Sequence, residues 1–118
     1  MQNRFFGNAS SPNEFIFGLL DRIDERGGAP TMRPGGITMD SMIFDPEAGD
    51  SVRTTNEEGG IYRTTVGPAY YESWSNFPES FKFISTLNFG NESLDISRDM
   101  AVASAKYAAE RIMYFELG

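Results

Sequence analysis

Acidic side chains are the first candidates for chemistry in this sequence, and they concentrate between residues 40 and 50. Asp40, Asp45, Glu47 and Asp50 supply carboxylate oxygens, which are the ligands that calcium and magnesium prefer. Their spacing departs from the EF-hand loop, in which carboxylates recur at every second residue before a glycine. Solvated turn carboxylates are therefore the favoured interpretation, and a divalent ion in this acidic loop is the alternative. We predict no bound metal and no cofactor.

Two arginines form a second candidate site. Arg53 and Arg63 belong to two segments that repeat an Arg-Thr-Thr core, and a guanidinium group can clamp a phosphate or a carboxylate through parallel hydrogen bonds. Glu57 and Glu58 lie between them, so local ion pairs are the favoured interpretation and an anionic ligand is the alternative.

The residue types that are missing exclude whole mechanisms. Without cysteine there is no disulfide, thiolate zinc site or thiol nucleophile, and without histidine there is no Ser-His-Asp relay or imidazole ligand. The two lysines, Lys82 and Lys106, lie outside any GxxxxGK[ST] phosphate loop, and no G-x-S-x-G motif is present. Carboxylates could still perform acid–base catalysis, but the sequence identifies no pair of them. We predict that the chain is not an enzyme and has no catalytic residue.

The charge balance limits the partners. The chain carries 10 Lys and Arg against 17 Asp and Glu in 118 residues, a formal net charge of −7. Because no basic stripe could neutralise phosphates, direct binding to nucleic acid is disfavoured. No apolar run is long enough for a membrane span, and the first residues lack the apolar stretch of a signal peptide. We predict a cytoplasmic or virion location without membrane contact.

Aromatic residues make up 14% of the chain, which is more than the evident core positions need. Tyr70, Tyr71 and Trp74 fall on both faces of a short predicted strand, so they cannot all point inward. Phe5 and Phe6 lie on a polar N-terminal arm. Exposed aromatic side chains are typical anchors of protein–protein contacts. We predict that these five residues form an interface with other protein subunits or with a second copy of the chain. The alternative is that the arm folds back over the chain's own sheet.

Helices are predicted near both ends of the chain. Ser11-Pro12-Asn13-Glu14 combines a capping serine, a proline at the first helical position and a glutamate at the third, and an apolar stripe of helical period follows. We expect a helix over about residues 12–26, ended by a glycine pair. Alanine-rich sequence with helical spacing predicts a second helix over about residues 97–116.

Strands are predicted between the helices, where the apolar period changes from about 3.6 to 2. Residues 81–89 alternate phenylalanine-rich and polar positions, and residues 52–55 and 62–66 read as a hairpin in which Thr54 pairs with Arg63. Further strands are expected over 37–44 and 69–74, and the turn-rich segment 27–36 is a connector or a contact loop.

These elements predict an α+β fold: an N-terminal helix, an antiparallel β-meander of about three to five strands, and a C-terminal helix packed on the sheet. We expect residues 1–10 to form an N-terminal arm and residues 11–118 a single domain.

Taken together, the sequence favours a non-enzymatic structural or assembly protein, a small acidic subunit of a larger protein complex. A phage virion component such as a capsid decoration or connector protein has this kind of composition. The alternative is an acidic regulatory binder, an inhibitor or adaptor that acts on a basic protein surface through its carboxylates.

Overall fold

The fold is built from short β-strands and α-helices around two small three-stranded sheets. A computed structural model describes residues 6–8, 10–49, 52–56, 62–90 and 92–117. Within these ranges the strands are β1 (Gly7–Asn8), β2 (Ser11–Pro12), β3 (Thr31–Met32), β4 (Met42–Phe44), β5 (Val52–Asn56), β6 (Tyr62–Val66), β7 (Lys82–Leu87) and β8 (Ile112–Leu117). The α-helices are α1 (Glu14–Glu25), α2 (Pro68–Glu72) and α3 (Leu94–Ala108), and 3-10 helices cover Ile37–Ser41, Ser73–Asn76 and Ala109–Arg111.

The first three-stranded sheet has the order β3-β7-β8, and both of its strand pairs are parallel. The second has the order β4-β6-β5, in which β4 runs parallel to β6 and β5 runs antiparallel to it. The antiparallel meander predicted from the sequence is therefore wrong. The physical reason is α3, which carries the chain back between β7 and β8 and so allows these two strands to run in the same direction.

The predicted order of N-terminal helix, sheet and C-terminal helix is wrong for a related reason. The predicted C-terminal helix merges two elements, because α3 ends at Ala108 and the aromatic and β-branched residues after it form β8. The predicted strand over residues 69–74 is instead α2 and the 3-10 helix that follows it. The first helix begins two residues later than predicted, with Asn13 as its cap accepting from the amide of Ile16 at 3.4 Å.

The hairpin of β5 and β6 is present, but its register differs by one residue from the prediction. Thr54 lies opposite Thr64, and Arg63 lies opposite Thr55. At the N-terminus, β1 and β2 form a small antiparallel ladder, and Phe6 packs against the core. A separate N-terminal arm and a single domain over the rest of the chain stay predictions.

The core is dominated by aromatic rings. The indole of Trp74 stacks on Phe83 with ring centroids 4.5 Å apart and planes 7° from parallel, and Phe77 meets Phe83 edge to face at 5.1 Å. Helix α3 contacts β4, β7 and β8, and so lies against both three-stranded sheets. Its buried residues are small or flexible, which permits this close approach. They are Ser97, Met100, Ala103, Ser104 and Ala108.

Strand β8 is the outer strand of the parallel sheet, and it is exposed on both faces. The exposed fractions of Tyr114 and Leu117 are 63% and 67%, and those of Met113 and Phe115 are 48% and 49%. In the part of the chain that the structure describes, none of the helices has the length and apolar character that crossing a bilayer requires.

Candidate functional site

The carboxyl ends of β3, β7 and β8 meet at one edge of the parallel sheet. This edge is where α/β proteins place their binding and catalytic groups, because the loops that follow parallel strands converge there. The loop after β3 reads Arg33-Pro34-Gly35-Gly36, the loop after β7 begins with Asn88, and Glu116 lies one residue before the end of β8. We call this edge, with the loops after β3 and β7 and the end of β8, the carboxyl-end surface.

Two side chains, Arg33 from the loop after β3 and Thr86 from β7, converge on a single oxygen atom of Glu116 on β8. The Arg33 guanidinium donates from Nε to Oε2 of Glu116 at 2.5 Å. The Thr86 hydroxyl donates to the same Oε2 at 3.2 Å. Because β7 lies between β3 and β8, this contact bridges two strands that are not neighbours.

The electrostatic consequence is that Glu116 is held in its ionised form. The hydrogen bond from Arg33 lowers the pKa of the Glu116 carboxyl, with a smaller contribution from Thr86, and the same hydrogen bond raises the pKa of Arg33. A carboxyl group with a lowered pKa is a poor proton donor at neutral pH. Glu116 is therefore suited to accept hydrogen bonds and not to act as a general acid.

The loops of the carboxyl-end surface pack tightly against each other. A Cβ atom on Gly90 would lie 2.6 Å from the Cβ atom of Asp40, so the loop after β7 approaches the 3-10 helix Ile37–Ser41 at a distance that only glycine allows. Gly36, which caps that helix, has a φ of 119°, a conformation that L side chains rarely adopt.

Asn88 fixes the beginning of the loop after β7. It is fully buried, and its amide donates to the carbonyl oxygen of Met42 at 2.6 Å. Its own main-chain carbonyl accepts from the Ser97 hydroxyl on α3. Asn88 thus joins the end of β7 to the beginning of β4 and to α3, which leaves little freedom to the loops around it.

The opposite, amino-terminal edge of the sheet has a different character. There the Arg111 guanidinium donates to three main-chain carbonyls, those of Ser75, Phe77 and Pro78, at 2.8–3.2 Å. Lys82 donates to the carbonyl of Glu110 at 3.0 Å. These cations are engaged by the backbone, which indicates a stabilising role for this edge.

The residues predicted to form an interface lie in different surroundings. Tyr71 and Trp74 are 1% and 3% exposed and pack in the chain's own core, where Tyr70 contacts both rings edge to face. Burial raises the pKa of both tyrosines. Phe6 packs at 5.1 Å on Phe77, and Phe5 lies outside the described residues. A role of these residues in an interface stays a prediction.

The remaining candidate residues are the acidic side chains between residues 40 and 50 and the arginines Arg53 and Arg63. Among the described residues, no three acidic side chains come close enough together to hold a metal ion. Asp45 accepts from the amide of Glu47 at 2.9 Å, as a turn carboxylate does, and Asp50 lies outside the described part. The side chain of Arg53 also lies outside it, and Arg63 is half-buried on β6.

Sequence reasoning missed Arg33, Thr86 and Glu116. From the sequence, the segment with Arg33 is predicted only as a connector or contact loop, and Glu116 is predicted to lie in a helix. The available signal was the aromatic run in residues 112–117, which ends the helical spacing of α3 and completes a strand, helix and strand unit.

Comparison with known proteins adds two similarities. No protein-family model matches the sequence. A β-glucuronidase of Aspergillus niger is 33% identical over 129 residues, an alignment that covers 97% of this chain and 23% of the relative. The crystal structure of a 4-O-α-L-rhamnosyl-β-D-glucuronidase from Fusarium oxysporum, in complex with Rha-GlcA, superposes with a TM-score of 0.72 at 20% identity. That match covers 87% of this chain and 22% of the other, and it shows a shared fold.

These similarities correct the functional predictions. Both similar proteins are enzymes. The prediction of a structural or assembly protein of a virion is therefore wrong, and so is the prediction that the chain is not an enzyme. The alternative of a regulatory binder is wrong for the same reason. The absence of cysteine and histidine excluded certain mechanisms, but it does not exclude a mechanism based on carboxylates. The chain is similar along nearly its whole length to a segment that makes up about a quarter of a β-glucuronidase.

Proposed function

We propose that this chain is a segment of a glycoside hydrolase that acts on glucuronides, and that its carboxyl-end surface contributes to the sugar-binding side of that enzyme. The observation that carries the proposal is the convergence of Arg33, Thr86 and Glu116 at the carboxyl ends of three parallel strands. The similarity to a β-glucuronidase over 97% of the chain supports the same assignment.

The surroundings of this surface suit a sugar. Phe89 follows the end of β7 and is 46% exposed, so one of the loops of the carboxyl-end surface carries an exposed aromatic ring. A few polar groups next to an aromatic ring are the usual composition of a small-molecule site. Glycoside hydrolysis needs a proton donor and a second carboxylate. Because the pKa of Glu116 is lowered, we assign to it the role of orienting other groups at the site and not that of the proton donor.

Titration of the isotope-labelled chain with methyl β-D-glucuronide, followed by amide NMR, tests the proposal. We expect shifts at residues 33–36, 86–90 and 116–117, and weaker shifts with methyl β-D-glucoside, which lacks the carboxylate. Shifts confined to the amino-terminal edge would contradict the proposal. So would the absence of shifts at about 20 mM ligand, where even a millimolar Kd is close to saturation.

A matched pair of variants sharpens this test. Phe89→Ala removes the exposed ring at the carboxyl-end surface, and Phe15→Ala removes a ring on α1 that is 73% exposed. We expect the affinity for methyl β-D-glucuronide to fall about tenfold in the first variant and to stay unchanged in the second. Equal affinities in both variants would remove Phe89 from the binding site.

Association with other subunits or with a second copy, no contact with nucleic acid or membranes, and a cytoplasmic location stay predictions from the sequence.

A further inference from the structure

We propose that Arg33, together with Thr86, is a positioning residue that holds the Glu116 carboxylate, and with it the end of β8, in place at the carboxyl-end surface. The part of this inference that concerns sugar binding rests on the proposed function. The contacts that carry it are features of the structure and can be tested without a sugar.

The position of β8 in the sheet supports this role. Among the described strands, β8 is bonded to β7 alone, and four of its large side chains are about half exposed or more. An outer strand of this kind frays most easily at its ends. The hydrogen bond from Arg33 gives the end of β8 a second attachment besides its pairing with β7. Arg33 lies in the loop after β3, on the other side of β7.

An irregularity in the ladder between β7 and β8 also supports this role. Phe83 lies opposite Ile112, but Ile84 lies opposite Tyr114, so Met113 is an extra residue on β8. Without this bulge, Phe115 would lie beside Thr86. With it, Glu116 takes that position. A bulge commonly redirects a side chain next to a functional site, and here it brings the carboxylate to its two donors.

The geometry of the Glu116 carboxylate supports this role as well. Both donors reach Oε2 of Glu116, so the orientation of the carboxylate is fixed from two directions. The Arg33 and Glu116 side chains are 50% and 37% exposed, and their contact lies at the border between the strand ends and solvent. A ligand that binds at the carboxyl-end surface would meet a carboxylate whose direction is already set.

The experiment compares Arg33→Gln with Arg98→Gln. Arg98 is the matched control, because it forms exposed ion pairs with Asp95 at 2.9 Å and Asp99 at 3.1 Å on α3. NMR measures the pKa of the Glu116 side chain, and hydrogen exchange measures the amides of residues 116 and 117. Among the residues that the structure describes, the side chains that act on the Glu116 carboxyl are those of Arg33 and Thr86.

We expect Arg33→Gln to raise the pKa of Glu116 towards its ordinary value and to accelerate exchange at residues 116 and 117 about tenfold. Arg98→Gln should change neither quantity. Arg33→Lys should restore the pKa in part, because the ammonium group keeps the charge but loses the planar geometry of the guanidinium. Thr86→Val should act in the same direction as Arg33→Gln but less strongly, because the uncharged Thr86 hydroxyl makes the longer hydrogen bond and lowers the pKa of Glu116 less than Arg33 does.

Affinity for methyl β-D-glucuronide is the functional measurement. If the wild-type chain binds the sugar, Arg33→Gln should weaken binding while its Tm stays within the range of the Arg98→Gln control. If the wild-type chain does not bind, the proposed function fails, and the pKa and exchange data still decide the positioning role. Unchanged exchange and an unchanged Glu116 pKa in Arg33→Gln would overturn the inference.

Discussion

Replacing Gly90 with alanine should destabilise the chain, whereas the same replacement at Gly18 should stabilise it. At Gly90 the new Cβ atom would lie 2.6 Å from the Cβ atom and 3.0 Å from the Cα atom of Asp40. Comfortable separation of two carbon atoms is about 3.5–4.0 Å, so the two loops must move apart by roughly 1 Å. The Cα atom of Asp40 cannot rotate away, because it belongs to the backbone of the 3-10 helix.

The size of the effect follows from two opposing contributions. Overpacking that displaces backbone costs about 1–3 kcal/mol. Alanine restricts the unfolded chain more than glycine does, which returns about 0.4–1 kcal/mol. The net loss at Gly90 is about 0.5–2 kcal/mol, or a fall in Tm of roughly 2–8 °C for a chain of this size.

Gly18 is the matched control. It lies inside α1, and a Cβ atom there would meet nothing within 4 Å. Alanine in a helix is favoured over glycine by about 0.5–1 kcal/mol, so Gly18→Ala should raise Tm by about 2–4 °C. Thermal and urea unfolding followed by circular dichroism measure both variants. A Gly90→Ala variant that is as stable as Gly18→Ala would refute the close approach of the loop after β7 to Asp40.

Three further predictions concern the core and the amino-terminal edge. Trp74→Ala removes the ring stacked on Phe83 and should cost about 3–5 kcal/mol in urea unfolding; a loss below about 1 kcal/mol would contradict its place in the core. Arg111→Ala removes three hydrogen bonds to carbonyls and should lower the free energy of unfolding by about 2 kcal/mol. The urea midpoint measures this loss, and an unchanged midpoint would contradict a stabilising role of these bonds. Because burial raises the pKa of Tyr71 in the folded state, its stabilising contribution is complete below about pH 10 and is lost as the pH rises towards the folded value. Tyr71→Phe should therefore move alkaline unfolding to higher pH, and an unmoved transition would contradict a buried phenol.

The sequence predicts part of this fold because some of its signals are local. The helical period of residues 14–25 and the alternation around Phe83 are set by neighbours along the chain, and both elements appear close to their expected places. The two Arg-Thr-Thr segments likewise identify the pair of β5 and β6, although the observed register differs by one residue from the predicted one. These features need no knowledge of distant contacts.

The direction of the strands could not be predicted in the same way. Whether β7 and β8 run parallel depends on where helix α3 ends, and the small residues of α3 continue the helical period up to Ala108 without a proline or glycine to stop it. The candidate site depends on this direction, because Arg33 and Glu116 meet only when the strands carrying them end at the same edge. Trp74 is predicted to lie at the surface, but it lies in the core because residues 69–74 form α2 and the 3-10 helix after it and not a strand.

The exposed edge of β8 also affects how the chain behaves in concentrated solution. Its sequence, Ile-Met-Tyr-Phe-Glu-Leu, combines high β-propensity with a single charge and contains neither proline nor glycine. That charge, on Glu116, is already engaged by Arg33. Short segments of this composition template the addition of further strands and are the usual origin of amyloid-like aggregation. Precipitation of the purified chain should therefore begin at β8, and a lysine in place of Tyr114 should delay it.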